Sequence, residues 1–252
     1  MTEKKSSVWK NLAITAGAVV FLTFGLATWK RDVARSATRS TADNGRGLSA
    51  QDTAQTPVPV PRPALVDGFQ RHELKGGIAI DVPSGWKPNT AEETDLVNTS
   101  AAAKLAVEGL EVEPSSDLLV LKSRPRTTYA LVRIEEFLPA PIAPDELRSA
   151  SEAEVASIGP EMYDLFGPMM AKSNQAILGS YDVKREEVSG YPALVVRYRR
   201  NGVKGPVVVE QIRLMTPARE VSFTLAYRES EAGLWSSVKE LMRRSIHVPP
   251  GL

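Results

Sequence analysis

Cysteine is absent from the 252-residue chain, and histidine occurs only twice. Without thiols the sequence has no disulfide framework, no zinc–thiolate or iron–sulfur site, no thiol nucleophile and no lipid-anchor cysteine. Two histidines leave little material for imidazole catalysis or for a metal site. We therefore expect a protein that needs no cofactor and no metal.

An excess of one charge is also missing, because 31 Lys and Arg residues stand against 30 Asp and Glu residues. Proteins that bind duplex nucleic acid usually carry a basic excess, so this balance argues against a nucleic-acid partner. The sequence also contains no Gly-x-Ser-x-Gly elbow, Walker loop, dinucleotide fingerprint or His-Glu-x-x-His motif. These absences favour a protein that is not an enzyme.

An uncharged apolar run occupies residues 11–29, after an N-terminal tail at residues 1–10. A helix that rises about 1.5 Å per residue over this run spans about 30 Å, the thickness of the hydrocarbon core of a bilayer. Aromatic and basic side chains, which favour the lipid–water interface, flank the run on both sides. The sequence thus predicts one transmembrane helix that contacts the lipid bilayer. Its interface residues are Trp9, Lys10, Trp29, Lys30 and Arg31.

We predict that the helix is an uncleaved signal anchor, because Lys30 and Arg31 follow the apolar run directly. The alternative is a signal peptide cleaved after Gly25-Leu26-Ala27. The orientation of the helix in the membrane has two interpretations. The lysines before the helix favour an extracytoplasmic domain, whereas the heavier basic cluster after the helix favours a cytoplasmic one. A lysine-rich N-terminal tail resists translocation, so we expect a single-pass protein of the bacterial inner membrane with an extracytoplasmic, periplasmic domain.

The segment after the helix, residues 30–64, has the composition of a linker. Residues 32–56 carry almost no large apolar side chain and cannot offset the entropy of ordering. Alternating prolines from Pro57 to Pro63 then favour an extended polyproline conformation, which makes a semi-rigid spacer. A globular domain is therefore expected at residues 65–252.

Apolar residues at alternate positions predict an antiparallel sheet in this domain, since turn residues such as Ser189-Gly190 separate the last four strands. In one strand Ala130, Val132 and Ile134 lie on one face, and Arg133 and Glu135 lie on the other. The predicted strands cover Ile78–Val82, Leu118–Leu121, Tyr129–Leu138, Leu178–Val188, Tyr191–Arg200, Val207–Thr216 and Glu220–Glu229.

Helical spacing predicts three helical regions, and helices on both faces of the sheet make an α/β/α sandwich of the α+β class. One candidate lies at Ala101–Leu110. A second helix begins at Asp145, ends at Gly159-Pro160 and is followed by a methionine-rich piece with Met169 and Met170. A final helix is capped by Ser230, and its apolar stripe comprises Leu234, Trp235, Val238, Leu241, Met242 and Ser245.

The motif Ile80-Asp81-Val82-Pro83-Ser84-Gly85-Trp86 resembles the strand and Pro-x-Gly-Trp opening of the Mog1/PsbP-like superfamily. The similarity continues through Gly190-Tyr191-Pro192-Ala193, the strand around Phe223 and the closing helix, and covers about residues 70–248. The resemblance implies a Mog1/PsbP-like domain that binds to, or assists, a larger complex without catalysis. No metal ligand or contact residue of the family can be transferred to this chain.

A set of basic residues on neighbouring strands and turns is a candidate surface for an acidic partner or for anionic lipid. Interleaved glutamates, such as Glu186 and Glu210, favour instead a face on which cross-strand ion pairs neutralise the charge. Both interpretations stand at this point. The candidate residues are Arg197, Arg199, Arg200, Lys204, Arg213, Arg219 and Arg228.

The sequence as a whole favours a single-pass, membrane-anchored, non-catalytic subunit whose domain contacts or stabilises a larger membrane complex. A chaperone-like domain that binds hydrophobic segments of other proteins is the alternative, with Met169 and Met170 lining its groove. An enzyme is the least favoured class. A metal site at His72 and His247 is the weaker interpretation of two histidines that are expected on the surface.

Overall fold

The computed structural model describes residues 62–88, 117–124, 127–172 and 175–252. The predicted anchor at residues 11–29, most of the linker and the helix candidate at residues 101–110 lie outside these ranges. Within the described ranges, none of the helices combines the length and the apolar character that crossing a bilayer requires.

Nine strands and three α-helices make up the described part of the domain, and seven of the strands form one antiparallel sheet. The strands are β1 (Phe69–Glu73), β2 (Ala79–Pro83), β3 (Lys87–Pro88), β4 (Asp117–Lys122), β5 (Ala130–Phe137), β6 (Asp182–Val188), β7 (Tyr191–Arg200), β8 (Val207–Met215) and β9 (Glu220–Arg228). The helices are α1 (Pro144–Ser149), α2 (Glu152–Lys172) and α3 (Ala232–Arg244).

The seven-stranded sheet has the order β3-β4-β5-β9-β8-β7-β6, and β1 pairs with β2 in a separate hairpin. The α+β class and the central antiparallel sheet that the sequence predicts are thus confirmed. Short turns join β6 to β9 in succession. Between β6 and β7 the turn has only two residues, and Ser189 and Gly190 both have positive φ, at 54° and 80°. This backbone twist matches that of the strands it joins.

Alternate residues of the sheet belong to two separate buried clusters. Side chains of α1 and α2 pack with one set of sheet residues, and we call this side the α2 face. Side chains of α3 and of the β1–β2 hairpin pack with the other set, on the α3 face. Because both faces are covered, alternation along a strand does not separate buried from solvated residues here.

Helix α2 corrects the prediction that Gly159-Pro160 ends a helix, because it runs from Glu152 to Lys172 through Pro160 and Pro168. A proline inside a helix costs about 3 kcal/mol. Burying a large apolar side chain returns about 1.5–3 kcal/mol. Five such side chains of α2 are buried, so packing outweighs the two prolines. They are Val155, Ile158, Met162, Phe166 and Met170.

The start of α2 also differs from the prediction of one helix that begins at Asp145, because α1 ends at Ser149 and α2 begins at Glu152. Ser151 is exposed, and its hydroxyl accepts a hydrogen bond from the Glu154 N–H at 3.2 Å. The Glu154 carboxylate accepts one from the Ser151 N–H at 2.8 Å. This reciprocal capping separates α1 from α2.

Helix α3 begins at Ala232, after a 3₁₀ turn at Glu229–Glu231, and has no side-chain cap at its N-terminus. The predicted cap by Ser230 is therefore wrong. Leu234, predicted on the apolar stripe, is 51% exposed. Trp235, Met242 and Ser245 are buried as predicted. The strand predicted from Leu178 begins only at Asp182, and Ile177 makes an isolated bridge to Arg200.

Two tryptophans connect α3 to the turn after β2. Trp86 and Trp235 are 6% and 7% exposed, and their rings meet edge to face with centroids 5.5 Å apart. The Trp235 Nε1–H donates to Glu231 Oε2 at 3.3 Å. The burial of Trp235 confirms its predicted place on the apolar stripe of the last helix.

Candidate functional site

Polar side chains occupy the α2 face of the three central strands β5, β9 and β8, and all of them are at most 3% exposed. We call this set the polar block. Arg133 and Glu135 belong to it, on the face of β5 opposite Ala130, Val132 and Ile134, and both are buried. The polar block consists of Arg133, Glu135, Gln211, Arg213, Glu220, Ser222 and Thr224.

Ion pairs lie within the polar block. Arg213 Nε and Nη2 donate to the two carboxylate oxygens of Glu220 at 2.7 and 2.6 Å. Both side chains are fully buried. Arg133 Nη2 lies 3.2 Å from Glu135 Oε1 on the same strand. Because these four charges sum to zero, the block holds buried charges without a net charge.

The predicted basic residues do not lie on one surface, because alternation along the strands divides them. Arg213 and Arg200 are 0% and 2% exposed on the α2 face, so neither contributes to a surface. Arg197 and Arg199 point to the α3 face. Lys204 is exposed in the tip of the β7–β8 hairpin. A partner or lipid surface formed by the remaining residues stays a prediction.

Carboxylates pair with most of these basic residues, as the interpretation of a neutralised face expects. Arg199 donates to Glu229 at 2.6 Å on the exposed rim of the sheet. The other pairs are Arg197 with Glu186 and Glu210, Arg213 with Glu220, Arg219 with Glu136, and Arg228 with Glu231.

A network of five charged side chains connects α3 to the neighbouring strands β6, β7 and β8. Glu210 is at its centre, 1% exposed. Its carboxylate accepts hydrogen bonds from Arg197 Nε at 2.8 Å and Lys239 Nζ at 2.6 Å. Arg243 bonds to Glu186, and Arg197 donates to the same carboxylate at 2.9 Å. We call these five residues the α3 ion network.

The protonation of Glu210 reflects this setting. Burial alone would raise the pKa of the Glu210 carboxyl, but Lys239, Arg197 and Arg243 lower it below its usual value. Burial would likewise lower the pKa of Lys239, while its contacts with Glu210 and Glu240 raise it. The pair is therefore charged at neutral pH, and Glu210 is not suited to donate a proton as a general acid.

A pH dependence of stability follows from the lowered pKa of Glu210. The ionised Glu210 carboxylate stabilises the folded state fully at pH values above its unfolded-state pKa of 4.5. This contribution to the free energy of unfolding is lost as pH falls through the lower folded-state pKa. Glu210→Gln should lower the free energy of unfolding at pH 7 by about 1–3 kcal/mol. The loss should shrink at acidic pH, which urea unfolding across pH measures.

Glu229→Gln is the matched control for Glu210→Gln, because Glu229 pairs with Arg199 at an exposed position. An exposed ion pair contributes about 0–1 kcal/mol. Equal losses for the two variants at pH 7, or a loss at Glu210 that does not change with pH, would contradict the ion network as described.

Neither histidine belongs to a metal site within the described residues, where no group of three or more His, Cys, Asp or Glu side chains is arranged to hold an ion. Burial lowers the pKa of His72. Burial, and then Arg62 and Arg71, lower the pKa of His247, which is 7% exposed and bridges Ala79 through its backbone. Both imidazoles are therefore neutral at pH 7.

Gln211, Ser222 and Thr224 were not identified from the sequence as candidate residues. Their positions alternate with apolar residues, which is typical of a strand with one solvated face. They become a cluster only through the register of β8 with β9, which pairs Gln211 with Thr224 and Arg213 with Ser222. The alternation of polar residues in two consecutive central strands is the signal that identifies them.

The described residues thus form an α+β domain with a central antiparallel sheet, a buried polar block and an ion network at α3. Comparison with protein-family models gave no match. Comparison with curated protein sequences gave no match either.

Comparison with solved structures gave matches, of which two are described. The solution structure of cyanobacterial PsbP (CyanoP) from Synechocystis sp. PCC 6803 is 14% identical, with a TM-score of 0.46, over 73% of this chain and 94% of that chain. The crystal structure of PA94 from Pseudomonas aeruginosa, a protein of unknown function, is 12% identical, with a TM-score of 0.32, over 70% of this chain and 94% of that chain. Because both TM-scores lie below 0.5, neither similarity carries a functional conclusion.

Proposed function

We propose that this protein is a non-catalytic accessory subunit of a larger membrane complex. Residues 11–29 anchor it in the bacterial inner membrane, and the proline-rich spacer holds the domain at residues 65–252 away from the bilayer on the periplasmic side. The domain contributes binding and stabilisation rather than chemistry.

This proposal rests on one observation: the ionisable side chains on the α3 face pair with one another and connect α3 to the sheet. Glu210, a buried carboxylate of that face, is held by three cations, two of them on α3 and one on β7, and its pKa is lowered. A catalytic carboxyl commonly has a raised pKa and faces a cleft. The α3 ion network therefore supports a structural use of these charges, in accordance with a binding domain.

The chaperone-like alternative depends on a groove lined by methionines, and the structure gives it no support. Met170 is 1% exposed and Met162 is fully buried, both in the core between α2 and the sheet. Met169 is partly buried against the same core. These side chains fill the interior, which is the common role of methionine.

The β7–β8 hairpin tip, residues 201–206, is the part of the predicted basic area that is free to contact a partner. Val203 is fully exposed there, next to the exposed Lys204. The tip is tightly closed, since a Cβ on Gly202 would lie 2.8 Å from Val207 Cγ2 and 2.9 Å from the Gly205 carbonyl oxygen. A fixed tip with one apolar and one basic side chain suits an acidic partner surface with an apolar centre.

Co-purification from detergent-solubilised native membranes tests the proposal. The tagged full chain should recover a defined set of membrane proteins, whereas residues 1–64 alone should not. Val203→Asp should reduce this recovery without changing the melting temperature. Leu165→Asp is the matched control, because Leu165 is an exposed apolar side chain of α2, outside the hairpin tip, at 43% exposure. Recovery that is unchanged by Val203→Asp would argue against the hairpin tip, and recovery equal to that of residues 1–64 would argue against the function.

The membrane topology is a separate prediction. Because Lys4, Lys5 and Lys10 resist translocation, alkaline phosphatase fused after Leu252 should be active. A fluorescent protein that matures only in the cytoplasm should stay dark at the same position. The opposite pair of results would place the domain in the cytoplasm, in agreement with the heavier basic cluster after the helix.

A further inference from the structure

The chain enters the domain along β1, and side chains of β1 hold it there. Arg71 Nε and Nη2 donate to the two carboxylate oxygens of Asp81 at 2.7 and 2.8 Å, and Nη2 also donates to the Pro63 carbonyl oxygen at 2.8 Å. Asp81 is fully buried, so the guanidinium has a fixed position. Arg62 Nη1 lies 2.5 Å from Glu73 Oε1, at the last residue of β1. The entering segment is therefore fastened along β1, with Arg62 beside the end of that strand.

The end of the domain at which the chain enters also holds the turn before β7. Glu73 lies opposite Ala79 in the β1–β2 hairpin, and Ala79 bridges His247. The next residue, Val248, donates its N–H to the hydroxyl of Ser189, in the β6–β7 turn, at 2.8 Å. We call this end of the domain, which contains Arg62, the β1–β2 turn and the β6–β7 turn, the entry end.

The β7–β8 hairpin tip lies at the opposite end of β7. Strand β7 runs for ten residues from Tyr191 to Arg200, and residues 201–206 follow it directly. At about 3.3 Å per residue this strand spans about 30 Å. The Glu229 N–H donates to the Pro206 carbonyl oxygen at 2.8 Å, which holds the base of the tip beside the 3₁₀ turn before α3. The hairpin tip and the entry end are therefore separated by about the length of β7.

The spacer leads from the predicted anchor to the entry end. In the extended conformation that their prolines favour, residues 57–63 span about 20 Å. Their last residue is the one whose carbonyl oxygen Arg71 holds. For the hairpin tip to reach the bilayer, the domain would have to turn over against a stiff segment that is fastened along β1. The attachment thus favours an orientation with the entry end towards the membrane.

We infer that the domain presents the hairpin tip away from the bilayer, and that the tip binds the extramembrane part of a partner protein rather than lipid headgroups. This inference rests on the proposed function, which supplies the anchor and the partner. The partner surface is acidic with an apolar centre, to match Lys204 and Val203. It stands farther from the membrane than the entry end by up to about 30 Å, the length of β7.

Energy transfer to labelled lipid tests the orientation, and the absence of cysteine allows a single label at a chosen position. Lys75→Cys marks the entry end and Lys204→Cys marks the tip; both lysines are exposed, so the two variants lose the same charge. The full chain with one fluorescent donor is reconstituted in vesicles with an acceptor on the lipid headgroups. Transfer from position 75 should be at least about twofold higher than from position 204, because transfer falls steeply with distance and the two positions are about 30 Å apart.

Pro250→Cys and Val203→Cys are a second pair at the same two ends, for use if either lysine variant melts at a lower temperature than the wild type. Both residues are exposed. In native membranes, a photoreactive group attached at position 204 should crosslink to a protein and not to lipid. The same group at position 75 should not give that protein adduct.

Equal energy transfer from the two ends, or lipid adducts from position 204, would overturn the inference and leave the accessory function standing. Loss of the full chain from the vesicles during flotation would instead contradict the anchor of the proposed function, and the inference with it.

Discussion

Replacing Trp86 or Trp235 by alanine should lower the free energy of unfolding by about 3–5 kcal/mol, the range for large aromatic side chains in a core. Both rings are buried, and they contact each other across the junction between the β2–β3 turn and α3. Domains of ordinary size are stable by about 5–15 kcal/mol in total, so either change removes a large share. Urea unfolding of the domain, started at Pro63, measures it.

The two tryptophan substitutions should not be additive. An edge-to-face pair contributes about 0.5–1.5 kcal/mol beyond the buried area, so the double variant should lose that much less than the sum. Leu234→Ala, one residue from Trp235 but 51% exposed, is the control and should change stability by no more than about 0.5 kcal/mol. Losses below about 1 kcal/mol at both tryptophans would contradict the packing of α3 on the sheet.

Removing one partner of the Arg213–Glu220 pair should lower the free energy of unfolding about as much as either tryptophan substitution does. Arg213→Met leaves the Glu220 carboxylate buried without its bidentate partner, and Glu220→Leu leaves the guanidinium alone. Breaking a buried ion pair costs about 3–5 kcal/mol, because the remaining charge stays desolvated. Thermal and urea unfolding of the single variants should both show the loss.

The double variant Arg213→Met/Glu220→Leu separates the cost of an unpaired charge from the value of the pair. Apolar replacement of both partners is often neutral, or stabilising by about 1–4 kcal/mol, so the double variant should recover most of the loss. The pair Arg148–Glu187, with side chains 44% and 58% exposed, is the surface control. Single changes there should cost about 0–1 kcal/mol. Equal losses at the two pairs would show that Arg213 and Glu220 are not enclosed.

The strands β7, β8 and β9 are predictable from the sequence to within one residue. Their alternation is regular, and turn residues separate them at short intervals, so local chemistry determines both the strands and their order. The Ser189-Gly190 turn belongs to the same group, because two residues with positive φ favour one hairpin geometry. Such features depend on neighbours in the sequence and not on the rest of the fold.

Features that depend on distant contacts were not predictable in the same way. The continuation of α2 through Pro160 requires the sheet on which its apolar side chains pack. The burial of Arg133 and Glu135 requires that protein also covers the second face of β5, which the alternation along the strand does not show. The polar block requires the register of β9 with β5, which is distant in the chain, as well as with β8. The sequence analysis assigned Arg200 and Arg213 to a surface because the pattern along their strands does not show that this face of the sheet is covered.

The size of the native assembly tests the proposed accessory function most directly. Native membranes are solubilised in a mild detergent, and the mass of the particle that contains the chain at its natural abundance is measured by native gel and by native mass spectrometry. The proposal predicts a particle of defined mass that is several times the mass of one chain. A population that migrates entirely as a single chain, or that is recovered without membranes, would contradict it.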